Sequence, residues 1–170
     1  MPELILIAME NHIVNAALVQ MLDILYQKDQ FLLNAANNLT ERSVTHRMGM
    51  YLQSIFPDLD VDCEYNRMGR MDLDTIYFTE GDYFAKTVCL SGSVISDSDD
   101  KGSRVFPDII IHKRGTAENL IIIEVKMAWK SIESAHDIKK LNAFKNDLKY
   151  EFAFYIELTE ERQKVIIKSI

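Results

Sequence analysis

The sequence has little of what marks several common protein classes. It has only two cysteines, Cys63 and Cys89, which are too far apart in the chain to form a metal pair, so we expect free buried thiols. No stretch is rich in proline or glycine. No apolar run approaches the length of a membrane span, and the first residues lack the basic head of a signal peptide. We therefore expect a soluble, cytoplasmic protein without a membrane partner.

An excess of positive charge and the familiar hydrolase motifs are also missing. The formal net charge is −7, which counts against a protein that coats nucleic acid but allows an enzyme with a local basic groove. The absence of a glycine-rich phosphate loop, a GxSxG elbow and an HExxH helix leaves nucleotide hydrolases, serine hydrolases and zinc proteases without support. What is present is a chain of 170 residues, 48% of them apolar. Such a chain is most simply one domain, 1–170, with a substantial core.

Two isoleucine-rich runs, 105–112 and 120–126, form the most informative stretch of the chain. Each is a short apolar run, which is typical of a strand buried on both faces of a sheet. The polar segment 113–119 between them contains a glycine. The two runs are therefore predicted to form a β-hairpin.

Charged residues interrupt these two apolar runs. Asp108 opens the first predicted strand, and Glu124 and Lys126 lie in the second. Because side chains alternate along a strand, Glu124 and Lys126 should project from the same face. A charge inside a buried strand is unfavourable unless it is paired or holds a metal. Two carboxylates and an ammonium on neighbouring strands suit a hard divalent cation with a water beside it.

The same residues carry a resemblance to a known family. Pro107-Asp108 is followed by Glu124-Val125-Lys126, with fifteen residues between Asp108 and Glu124. This arrangement resembles the motif of the PD-(D/E)XK nuclease superfamily, whose members share the restriction-endonuclease-like fold. The order of the predicted elements extends the resemblance over residues 39–158.

The resemblance implies an α/β (α+β) fold with a central mixed β-sheet flanked by helices. Residues 39–158 would form the restriction-endonuclease-like core, and residues 1–38 a helical extension that packs on it or serves as a lid or as the contact of a possible homodimer. The expected apolar positions of the extension are Ile13, Ala17, Leu18, Met21, Leu22 and Leu25. The patterns predict helices over 3–37, from 38 and from 134, the hairpin, and strands over 60–67, 152–156 and 162–168.

The function implied is that of a metal-dependent nuclease acting on DNA. Asp108 and Glu124, with the backbone carbonyl of Val125, would bind one Mg²⁺, for which Mn²⁺ would substitute. The cation would lower the pKa of Lys126. Lys126 would then orient or deprotonate the attacking water and steady the charge on the phosphorane.

Glu41 has two competing interpretations. With Asn38 it forms a capping-box pattern at the start of a predicted helix, which explains the residue by itself. It also continues the apolar stripe of that helix toward the core, and in the superfamily a helix at this place often supplies an acid to the metal site. A second metal would need such an acid. The sequence leaves these two roles open.

Four further residues are candidates for substrate contact: Arg104, Lys140, Arg67 and Glu64. For Lys140, Arg67 and Glu64, a place on the solvated surface is the simpler explanation. The segment 91–103, rich in helix and strand breakers, leads into Arg104 and could form a flap over the site. The residues 134–137 suggest a second capping box, and Trp129 is expected to pack.

Two other interpretations remain beside the nuclease. The chain could be a non-catalytic nucleic-acid-binding or protein-interaction module on the same fold, which its acidic balance favours. Alternatively, Asp108, Glu124 and Lys126 could be a buried ion-pair cluster in an unrelated sheet domain. Metal titration separates the last case, because a salt-bridge cluster should not bind Mg²⁺ or Mn²⁺ in the millimolar range.

Overall fold

The computed structural model of the protein describes residues 2–64, 67–69, 83–85, 87–88, 103–104, 106–130 and 134–170, and side chains within 11–64, 106–130 and 135–170. Cys89 and the predicted flap, except for Ser103, fall outside the described residues. In the described ranges the helices are α1 (Pro2–Lys28), α2 (Glu41–Ile55) and α3 (Ser134–Asp147). The strands are β1 (Asp60–Cys63), β2 (Arg67–Gly69), β3 (Tyr83–Ala85), β4 (Thr87–Val88), β5 (Ser103–Arg104), β6 (Ile109–His112), β7 (Asn119–Met127), β8 (Phe152–Leu158) and β9 (Ile166–Ser169).

A mixed five-stranded sheet forms the centre of the molecule, with the strand order β1-β6-β7-β8-β9. Neighbouring strands are antiparallel except β7 and β8, which are parallel. A parallel pair needs a crossover connection, and α3 lies in that connection. The remaining strands form two short antiparallel pairs, β2 with β3 and β4 with β5. The expected α+β class, a mixed sheet flanked by helices, is confirmed.

The two faces of the sheet pack against different helices, as the alternation along β7 shows. Ile121, Ile123, Val125 and Met127 join a core cluster with residues of α1 and α2, such as Leu18. Ile122 joins a second cluster with residues of α3 and β8. Glu124 and Lys126 have the same parity as Ile122, so they project from the face that α3 covers.

Several boundaries differ from the predictions. The extension forms one long helix and two 3₁₀ turns, Gln30–Leu33 and Ala35–Asn37. Five of its six expected apolar positions are buried, but Ile13 is 58% exposed, and its neighbour Val14 is buried instead. β1 ends at Cys63, because Glu64 takes a left-handed conformation with a φ of 53°. The predicted last strand begins only at Ile166, because Arg162–Lys164 forms a 3₁₀ turn.

None of the described helices contains an apolar stretch of the length that a membrane span requires. Trp129 packs against the cluster under α1 and α2, as expected of a packing residue.

Gly49 permits the close approach of α2 to β1. A Cβ atom at this position would lie 2.8 Å from the Cys63 Sγ atom. We expect Gly49→Ala to lower the free energy of unfolding by about 1–3 kcal/mol through overpacking. Adding Cys63→Ala should remove the clash and recover the loss, since alanine is also favoured over glycine in a helix by about 1 kcal/mol. Urea unfolding of both variants and of Cys63→Ala measures this, and an unchanged midpoint for Gly49→Ala alone would contradict it.

Candidate active site

The β6–β7 hairpin brings the two predicted acidic ligands together. Its strands pair antiparallel in the register Ile109 with Ile123, so the predicted hairpin is confirmed. Asp108 lies immediately before β6 rather than inside it. Its Oδ2 atom accepts a hydrogen bond of 2.8 Å from the backbone N–H of Val125. This bond fixes the Asp108 carboxylate beside the strand that carries Glu124.

Glu124 is a buried carboxylate, with only 1% of its surface exposed. Its Oε1 atom lies 2.8 Å from the Nζ atom of Lys140, an ion-pair contact whose angles fall outside those of a regular hydrogen bond. Burial raises the pKa of Glu124 to about 8, with repulsion from Asp108 adding to it and Lys140 opposing it. Burial likewise raises the pKa of Asp108, against the lowering effects of the Val125 N–H and Lys140. For both carboxyl groups, burial outweighs the stabilisation that the neighbouring N–H and ammonium groups give to the charged form.

Lys126 lies two residues further along β7, on the same face as Glu124. Its Nζ atom lies 3.2 Å from Glu41 Oε1 and 3.6 Å from Asp137 Oδ2. Burial alone would lower the pKa of Lys126, but Glu41, Asp137 and Asp108 outweigh it and raise the pKa. The sequence predicted a lowered pKa next to a cation. The protein's own carboxylates act in the opposite direction and keep Lys126 an ammonium.

Glu41 reaches this cluster from the first turn of α2. The predicted capping box with Asn38 is wrong, because α2 begins at Glu41 itself and Thr40 occupies the N-cap position. Asn38 takes a left-handed conformation, with a φ of 46°, and ends the preceding 3₁₀ turn, a conformation that asparagine tolerates better than most residues. The Glu41 side chain contacts Lys126 instead.

Helix α3 contributes two residues to the same face of the sheet, Asp137 and Lys140. Asp137 is 7% exposed, and it lies inside the helix, although the sequence suggested only a cap at the helix start. Lys140 was expected on the solvated surface, but its side chain is only 14% exposed. Residues three apart share a helix face. Both residues lie beside Phe144 on the apolar flank of this helix, and this pattern could have predicted from the sequence that they face the sheet.

The described side chains do not place the other candidates for substrate contact in this cluster. Glu64 is exposed, and its carboxylate lies 2.7 Å from Arg42 Nε. Its backbone N–H, however, donates to the carbonyls of Pro107 and Asp108 at 3.1 and 3.3 Å, so it supports the segment that carries Asp108. Arg67 lies in β2 and Arg104 in β5, and the side chains of both fall outside the described residues.

Among the described residues, no three side chains of histidine, cysteine, aspartate and glutamate converge closely enough to hold a metal ion as they are placed. The lysines explain part of this, since Lys126 stands between Glu41 and Asp137. The donor chemistry nevertheless fits a hard cation. Glu124 and Asp108 are neighbouring buried carboxylates, and Mg²⁺ is typically bound by one or two carboxylates with retained waters.

Comparisons with protein-family models, curated proteins and solved structures find no match.

Proposed function

We propose that the protein is a metal-dependent nuclease that hydrolyses phosphodiester bonds of DNA, with Mg²⁺ as its cofactor and Mn²⁺ as a substitute. One observation carries the proposal. The buried Glu124 lies beside Asp108 across a hairpin, burial raises its pKa, and the Lys126 ammonium projects from the same face of the sheet. Two neighbouring carboxylates can bind a metal ion, and a positioned ammonium can stabilise negative charge on a phosphate during phosphoryl transfer.

The residues divide into two groups by their roles. Asp108 and Glu124 would hold the cation through their carboxylate oxygens, and the Val125 carbonyl is the third proposed ligand. A bound divalent ion supplies a water of lowered pKa and polarises the phosphate. The proposed role of Lys126, an ammonium in the metal-free protein, is to orient the attacking water and to stabilise the negative charge that develops on the phosphate oxygens.

Glu41 is expected to act through Lys126, which it contacts at 3.2 Å. Glu41→Gln should lower the cleavage rate about tenfold or more, because Lys126 loses one of the two carboxylates that position it. The fold should remain, since a partly exposed ion pair contributes about 1 kcal/mol or less. Plasmid cleavage rates measure the effect. Glu118→Gln, which changes an exposed acid in the hairpin turn, is the matched control, and equal rates in both variants would contradict this role of Glu41.

The proposed activity is tested by incubating pure protein with supercoiled plasmid and with single-stranded DNA. Nicked, linear or shortened DNA should appear with Mg²⁺ or Mn²⁺ and should be absent in excess chelator. Asp108→Asn and Glu124→Gln should remove the activity in the same preparation. Cleavage that survives in chelator, or in both variants, would indicate a contaminating nuclease and defeat the proposal.

The second candidate is a non-catalytic binding module on the same fold. The favouring observation is that Lys126 and Lys140 are both paired with acids of the protein, so that each ammonium already has a partner within the protein. DNA binding measured by fluorescence anisotropy, without cleavage in Mg²⁺ or Mn²⁺, would favour this alternative.

A further inference from the structure

The Glu124 carboxylate, assigned above to the metal, already has a cation of the protein against it. Lys140 Nζ lies 2.8 Å from Glu124 Oε1, and it also lies 3.5 Å from the carbonyl oxygen of Phe106. The Lys140 side chain is 14% exposed, whereas Glu124 has 1% exposed. The lysine therefore reaches inward from the edge of α3 to a carboxylate that water scarcely contacts.

The contact between Lys140 and Glu124 depends on charge attraction rather than on hydrogen-bond directions. It lacks hydrogen-bond geometry at Oε1, and a lysine is a point charge on a flexible four-carbon stem that can leave such a position readily. Phe106, the other partner, is 56% exposed, so the second contact of the ammonium lies on the solvent side. A divalent cation on Glu124 would repel an ammonium at this distance strongly. A cation bound to Glu124 would therefore compete with the Lys140 ammonium for the charge of the carboxylate.

We infer that Lys140 is the internal counter-ion of the metal site: it occupies Glu124 in the metal-free protein, a divalent cation displaces it, and the released ammonium binds a phosphate of the DNA backbone. The inference rests on the proposed function. It makes metal and DNA binding mutually dependent, since a coupling between two ligands is reciprocal. Without metal, Lys140 is engaged by Glu124 and contributes nothing to DNA affinity.

The first test measures the metal alone. Calorimetric titration with Mn²⁺ should show that Lys140→Met, which keeps the apolar stem, binds the ion about tenfold or more tightly than the native protein, a factor in the usual range of couplings. Lys140→Arg keeps a competing cation and should bind like the native protein. Lys139→Met removes an equal charge from the neighbouring exposed position and should change the affinity less than twofold.

The second test measures the released lysine. Anisotropy of a labelled DNA duplex should show that Lys140→Met weakens binding several-fold in Ca²⁺, with a gel confirming intact DNA, but leaves binding in EDTA unchanged. In EDTA, Glu124→Gln should release Lys140 and bind DNA more tightly than Asp108→Asn, which makes the same carboxyl-to-amide change but leaves the Lys140–Glu124 pair. If Lys140→Met folds poorly by circular dichroism, Lys140→Gln replaces it in both tests.

The outcomes separate this inference from the proposed function. Equal Mn²⁺ affinities for Lys140→Met, Lys139→Met and the native protein would overturn the role of Lys140 and leave the metal site intact. A loss of DNA binding in Lys140→Met that is the same in EDTA and Ca²⁺ would also overturn it. Absence of Mn²⁺ binding in every variant would defeat the proposed function itself.

Discussion

Asp108→Asn and Glu124→Gln are each expected to lower the rate of DNA cleavage by at least about a thousandfold, the scale on which loss of a central charged or electrostatic group acts in enzymes. Each change replaces a carboxyl group by an amide of almost the same volume. Asparagine keeps an oxygen that can accept the 2.8 Å hydrogen bond from the Val125 N–H. The hairpin should therefore remain folded while the affinity for the cation falls.

Single-turnover nicking of supercoiled plasmid in Mn²⁺ measures this loss, with circular dichroism as the check on folding. Glu118→Gln removes the same charge from the exposed turn of the same hairpin and should cleave at the native rate. If both site variants keep more than a tenth of the native rate, the carboxylates do not carry the chemistry.

The hairpin, and the face of the sheet from which its charged side chains project, could be predicted because both depend on the local pattern of apolar and polar residues. Isoleucine runs on either side of a glycine-containing turn specify two buried strands. The two-residue period then places Glu124 and Lys126 on one face, as the structure has them. Asp108 needed one further fact, its place at the start of the first run. The common face of Glu124 and Lys126 follows from the alternation of side chains along a strand alone.

The surroundings of these charges could not be predicted because they depend on how α2 and α3 cross the sheet. The sequence does not indicate that α2 begins at Glu41 rather than three residues earlier, since that depends on the left-handed Asn38. The pairing of Lys140 with Glu124 depends on the crossover that lays α3 over β7 and β8. A charged residue on the apolar stripe of a helix indicates that the residue is buried, but the sequence does not predict which residue it pairs with.

The charge balance of the cluster agrees with one divalent cation. The described side chains bring together four carboxylates, those of Glu41, Asp108, Glu124 and Asp137, and the ammonium groups of Lys126 and Lys140. When all are ionised, the excess is two negative charges. The raised pKa of Glu124, about 8, has this excess as one cause after burial. Below that pH a proton on Glu124 neutralises part of the negative charge that a metal ion would otherwise balance.

This balance predicts how stability depends on pH and metal. Because the folded-state pKa of Glu124 is raised from 4.5 to about 8, folded protein holds a proton that unfolded protein has lost between those values. The stability of the metal-free protein should fall as pH rises through this window. One pKa unit corresponds to about 1.4 kcal/mol, so the loss is on the order of several kcal/mol. Glu124→Gln should lack it and be more stable than the native protein at pH 8, but not at pH 5.

A cation that binds only folded protein should reverse the loss. At a hundredfold excess over its Kd the gain is about 2.7 kcal/mol, which corresponds to a rise in Tm of about 5–10 °C for a chain of this size. The gain should be largest near pH 8, smaller at pH 5, where the ion must displace the Glu124 proton, and slight in Glu124→Gln. Melting curves in Mg²⁺, in Mn²⁺ and in EDTA from pH 5 to 8 measure it. Curves that coincide with and without metal across this range would mean that Lys126 and Lys140 complete the charge balance by themselves. The cluster would then be an ion-pair network or part of a binding module.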